Sequence, residues 1–162
     1  MFEGYQPIWL NGVAQVMTAH AARLRDLVGR KLTHAWLVWD TDADEWFADG
    51  PVLLDFAGEQ FEVNHQKLDD LSLTWNTADP LRPITGSPHL TWRDNTLTAL
   101  HDRTLTTVDL LESTADDLAH GSVAVGLGFD DTYVTIYNAL DENALEFGPP
   151  RLEWRRHPVA HA

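Results

Sequence analysis

The sequence predicts a mainly β protein of the α+β class. Two pseudo-repeated antiparallel β modules should form a sandwich or partly open barrel, with one amphipathic helix near the N-terminus. Three observations carry this reading. Val52–Trp75, VLLDFAGEQFEVNHQKLDDLSLTW, returns in altered form as Val125–Phe147, VGLGFDDTYVTIYNALDENALEF. Strand-like stretches follow one another through short turns, the connection that antiparallel pairs use. One stretch alone keeps good helical spacing.

The internal echo sets the domain organisation. At an offset of 73, Arg30, Leu32, Thr33, Leu37, Leu54 and Phe56 meet Arg103, Leu105, Thr106, Leu110, Leu127 and Phe129. One residue is then lost in the turn after Phe56. At an offset of 72, Leu68, Asp69 and Leu73 meet Leu140, Asp141 and Leu145, with Phe61 opposite Tyr133 and Trp75 opposite Phe147. The period exceeds that of solenoids and propellers, so it predicts a domain of two halves. The expected organisation is a single domain over 1–162, with repeats at 30–75 and 103–147 and a linker at 76–95.

The elements follow in order. Val13–Val28 places Val13, Val16, Met17, Ala21, Leu24, Leu27 and Val28 at spacings of three and four, the stripe of a helix that lies on a sheet. Gly29 suits its C-terminal cap, and Arg23, Arg25 and Arg30 suit the negative end of its dipole. Lys31–Trp39 is rich in aromatic and β-branched residues and apolar on both faces, so it reads as a strand covered on both sides. One of Trp36 and Trp39 should be buried. A polar loop Asp40–Gly50 follows. Val52–Phe56 and Gln60–His65 form a hairpin about Ala57–Gly58, and Leu71–Trp75 is a further strand. Pro80, Pro83, Gly86 and Pro88 break regular structure in 76–94, with a brief strand at His89–Arg93. The second half, beginning near Thr96, offers strands at Leu105–Glu112, Val123–Phe129 and Thr132–Asn138. Gly126 and Gly128 signal close approach by another backbone, or a sharp curl. The tail His157–Ala162 should be loose.

Composition narrows the function. The 162 residues carry a formal charge of −14, which disfavours nucleic acid and anionic membrane as partners and suits a basic protein. No cysteine is present, which removes disulfides, thiolate metal sites and thiol nucleophiles. MFEGYQPIWLNG has neither the basic nor the apolar region of a secretory signal, so the expected location is cytoplasmic.

No catalytic motif emerges. Asp40, Asp42 and Asp44 begin like a calcium loop, but Glu45 stands where that loop needs Gly and Pro51 where it needs Glu. The eight histidines show no H-E-x-x-H spacing, and no G-x-S-x-G elbow occurs. No metal or cofactor is expected. Asp69 and Asp141 are equivalent acids that a pseudo-two-fold axis could bring together; otherwise they are turn formers. His34 and His65 lie on strands and could share a face, and with Asp69 and Asp141 they are the candidates for an inter-repeat cleft. Trp39, Asp40, Asp42, Asp44, Glu45 and Trp46 form the densest aromatic and acidic cluster. Such a loop can steer and anchor a basic partner.

In size, acidity, lack of cysteine, strand-rich pattern and the I-Y-N-A-L-D-E-N run at 136–143, the chain resembles small acidic cytosolic proteins of uncharacterised high-GC bacterial families. Some of these act as immunity partners for toxins. The resemblance implies an inhibitor-like role and carries no binding residue across. The sequence thus points to a non-enzymatic protein-binding module for a basic partner. The alternative is a small-molecule or enzyme site where the repeats meet, and a homodimer through an edge strand is a third arrangement.

Overall fold

A computed structural model describes residues 1–94 and 97–162; the last linker position, 95, and the start of the second half near Thr96 lie outside the described residues. The first half contains β1 (Trp9–Asn11), α1 (Val13–Leu27), β2 (Leu32–Asp40), β3 (Glu45–Trp46), β4 (Val52–Phe56), β5 (Glu59–Gln66), β6 (Asp70–Trp75) and β7 (Leu90–Arg93). A single 3-10 turn, Thr98–Leu100, opens the second half. Then come β8 (Leu105–Ser113), β9 (Val123–Phe129), β10 (Tyr133–Asn138), β11 (Asn143–Phe147) and β12 (Trp154–His161). All pairings are antiparallel, in two sheets ordered β1-β6-β5-β4-β2-β3, with β7 also on β2, and β11-β10-β9-β8-β12. The fold is the expected mainly β, sandwich-like arrangement with one helix.

The meanders β2-β4-β5-β6 and β8-β9-β10-β11 have the same order and matching irregularities. Leu54 pairs with Ala35 and Phe61, and Leu127 pairs with Val108 and Val134. Each first strand shifts register by one residue, at Thr33 and at Thr106. Each of these threonines donates its hydroxyl to a carbonyl of the next strand, Asp55 O and Gly128 O. The halves meet at the isolated bridge Lys31–Thr104. Around it Leu32 N–H donates to Arg103 O at 3.0 Å and Leu105 N–H to Arg30 O at 2.9 Å; Gly29 N–H donates to Leu105 O and Asp102 N–H to Leu32 O. These two pairs interchange under the offset of 73, as a pseudo-two-fold axis requires.

The ladders correct one detail of the sequence alignment. Phe61 is equivalent to Val134, not Tyr133, because each faces the leucine at the centre of its neighbouring strand. The missing residue belongs in the β5–β6 turn, whose counterpart is the tight Leu140–Asp141 turn. Side chains alternate along a strand, so the ladder partner decides which face a residue occupies.

The inner faces share one core, with Leu54, Phe56, Phe61, Leu105, Leu110, Leu127 and Ile136 all buried. Phe56 and Phe129 stack across it at 6.5 Å. Helix α1 touches β8, β12 and β1 and buries Val16, His20, Ala21, Leu24 and Leu27. A smaller cluster of Val38, Leu53, Ala78, Ile84, Leu90 and Trp92 covers the outer face of the first sheet.

The linker therefore does more than connect. Asp79 N–H donates to Glu3 O and Thr85 N–H to Met1 O, so 76–93 and the N-terminal residues form a cover over β2 and β4. Glu62, fully buried, fastens it: its carboxylate accepts from Thr74 and Thr77 hydroxyls, the Gln60 amide, and the N–H groups of Thr77 and Ala78. The expected loose tail is instead the edge strand β12, paired with β8 from Trp154 to His161, with a bulge after Pro158, which has no N–H to donate. Neither Trp36 nor Trp39 is fully buried: Trp36 packs beside the outer cluster, and Trp39 stands on the paired β2–β3 segment under the Arg93 guanidinium.

Candidate functional site

Three places concentrate chemistry on this frame. The first is the β2–β3 hairpin, where Trp39 pairs with Trp46 and Asp40 with Glu45. Asp40 shapes the tip by accepting the N–H groups of Asp42 at 2.9 Å and Ala43 at 3.0 Å. Asp44 takes a left-handed backbone, φ 53°, and accepts the Trp39 indole N–H at 3.0 Å. The Arg93 guanidinium lies 4.1 Å over the Trp39 ring and 3.9 Å from the Asp44 carboxylate. Asp42, Asp44 and Glu45 are exposed, and Asp40 and Trp39 are half-buried beside them. Trp46 turns the other way and packs on the main core, its indole N–H buried without a partner. The sequence cluster is thus one acidic hairpin with a single tryptophan at its side.

The second is a groove of about 490 Å³ where β5 meets the β10–β11 turn. Its walls include Phe2, Tyr5, Pro7 and Trp9, its floor Asn64 and His65, and its rim Asp49 and Asp141. His65 and Asp141 come together here, as an inter-repeat cleft would have them. Asp69 stays in the β5–β6 turn and does not line the groove. His34 stands on the outer face, 2.7 Å from Asp94 and stacked on Trp36. The bulge at Thr33 puts His34 and His65 on different faces.

The floor is a closed polar network. Asn64 Oδ1 accepts the His65 backbone N–H at 3.0 Å and the Asn143 amide at 2.9 Å. Asn143 also donates to Ala48 O and Gly50 O, and this fixes its own Oδ1 against His65 Nδ1 at 3.0 Å. His65 Nε2 faces Val123 O at 3.1 Å. Both ring nitrogens therefore face acceptors, while burial holds the imidazole below its ordinary range and outweighs the two bonds that favour the cation. Beside Asn64 and Ser72, the Tyr5 hydroxyl is buried with no close hydrogen bond, and burial outweighs those two neighbours and pushes the phenol up to about 12.

A third cluster lies on the outer face of the second sheet. Tyr133 donates to Asp109 at 2.8 Å, and Arg156 stands 3.5 Å from the same carboxylate. A Cβ at Gly126 would fall 1.8 Å from the Tyr133 oxygen, so this glycine makes room for a side chain, not for a backbone as its sequence context suggested. Burial, then the bond to Asp109, raises the Tyr133 pKa, which leaves the phenol protonated and tethered.

Among the described residues no group of three His, Asp or Glu side chains could hold a metal ion. Comparison with protein-family models, curated proteins and solved structures yields no match. No helix is long and apolar enough to cross a membrane among the described residues. Asn143 and Asn64 escaped the sequence reading. Their signal was an asparagine at a buried strand position, where an amide must find several partners.

Proposed function

We propose that the protein is a binding module that takes a basic protein partner on the β2–β3 hairpin. The observation that carries this reading is the charge imbalance at the tip: Asp42, Asp44 and Glu45 face water, and Arg93 is the one cation that answers them among the described residues. Elsewhere Arg23, Arg82, Arg103, Arg151, Arg155 and Arg156 are each committed to an acid of this chain. The surplus negative charge is therefore available to a partner, and such charge speeds encounter and selects against acidic surfaces. Trp39, held by Asp44 and Arg93, adds a rigid aromatic contact at low entropic cost. An inhibitor or immunity factor for a basic toxin is the narrower version of this role.

The test is association with a purified basic partner, recovered by affinity capture and then titrated calorimetrically at low and high salt. An Asp42→Asn, Asp44→Asn, Glu45→Gln variant should bind about tenfold or more weakly and lose most of the salt dependence, at roughly 0.5–1 kcal/mol for each exposed pair. Unchanged affinity in that variant would contradict the reading.

A further inference from the structure

The groove at the junction has the features of a site for one side chain. Asp49 and Asp141 stand on its rim; its lining holds no Lys or Arg, and His65, at the floor, is buried and held neutral. Asp141 is held by its side chain and Asp49 through the backbone on either side of it. Asn143 holds the carbonyls on either side of Asp49, and Asp141 accepts the Lys67 backbone N–H through one oxygen, leaving the other free. The Lys67 ammonium is turned to Asp70. The turn that presents Asp141 also bears backbone strain: Leu140 and Asp141 have φ of 59° and 78°, which neither residue favours. Below the rim, Phe2, Pro7 and Trp9 offer an apolar wall of the kind that covers the methylene stem of a long cationic side chain. At the floor, Asn64 is only 7% exposed and has its oxygen committed twice, and its amide N–H groups lie against the Tyr5 hydroxyl without a close hydrogen bond.

We propose that this groove receives an arginine or lysine side chain and its adjoining peptide carbonyl from an extended segment of the basic partner. The cation sits between Asp49 and Asp141, its stem lies along Phe2, Pro7 and Trp9, and the carbonyl meets Asn64. This rests on the reading of the protein as a module for a basic partner, and adds where that partner inserts. Because the Asp141 carboxylate and the backbone on either side of Asp49 are already held, little ordering is needed on binding.

The test is a nuclear magnetic resonance titration of the whole protein with an N-acetylated, C-amidated Gly-Arg-Gly peptide, against Gly-Gln-Gly as control. Saturable shifts are expected at Asn64, His65 and Asp141 with the arginine peptide alone. An Asp49→Asn, Asp141→Asn variant keeps an acceptor for Lys67 and should bind about tenfold more weakly, the loss expected for charge-assisted bonds. An Asp116→Asn, Asp130→Asn variant, which removes the same charge from exposed positions that do not line the groove, should bind the peptide as the native protein does. No shifts, equal shifts with the control, or shifts confined to the hairpin would overturn the groove assignment while leaving the partner reading intact. Groove binding of the peptide without association with any basic protein would do the reverse.

Discussion

Glu62 and His65 lie three residues apart on one strand and resolve their burial in opposite ways. Glu62 meets five donors, so its charge is balanced by dipoles in place of a cation. Replacing it with Gln turns an N–H₂ group against donors that need an acceptor. Glu62→Gln should cost about 2–3 kcal/mol, read from denaturant unfolding, and should loosen the 76–93 cover. His65 has only acceptors and is held neutral by its burial. His20 is also held low, first by burial and then by Arg23, and its Nε2 has no partner. A folded-state pKa below the ordinary 6.5 means that the unfolded chain takes up the proton more readily. Stability from these two residues is complete above that value and falls as pH drops below it. Thermal unfolding at falling pH should show this loss, and His65→Gln should flatten it; a native protein equally stable on both sides would contradict the assignment.

Elements show what the sequence could and could not reveal. Helix α1, the hairpin β4–β5 and the repeated strands were legible because spacing and turn residues are local properties. The face each residue takes was less so. Leu32 joins Ala35 and Leu37 in the main core although its parity differs, and a bulge at Thr33 reconciles them. Nothing in the local pattern of Leu-Thr-His marks a bulge. Most of strand β12, from His157 on, was read as a loose tail because Arg155, Arg156 and Pro158 suit an exposed edge and give no apolar alternation. The glycines of β9 were marked for close approach by a backbone, but side chains crowd them, Tyr133 of the next strand at Gly126 and Thr107 of the preceding one at Gly128. Gly126→Ala should therefore destabilise by about 2 kcal/mol or more, and much less in a Tyr133→Ala background. Equal costs in the two backgrounds, measured by a double-mutant cycle, would mean that Tyr133 is not what the glycine accommodates.

At the scale of the whole molecule, the halves are joined by reciprocal backbone bonds around Lys31 and Thr104 and by the Asn143 network. Of the candidate site, the acidic hairpin was legible because its members are neighbours in sequence. The groove was legible only in part. Of the four residues named for a cleft between the repeats, His65 and Asp141 line the groove and Asp69 and His34 do not, whereas Asn64, Asn143, Tyr5 and Asp49 come together only in the folded chain. The site thus depends on the two halves behaving as one body. Native-state hydrogen exchange at Gly29, Leu32, Asp102 and Leu105 tests this directly. All four amides should exchange only through global unfolding, with one common free energy; exchange of one pair well before the other would show halves that open separately, and would contradict the shared core.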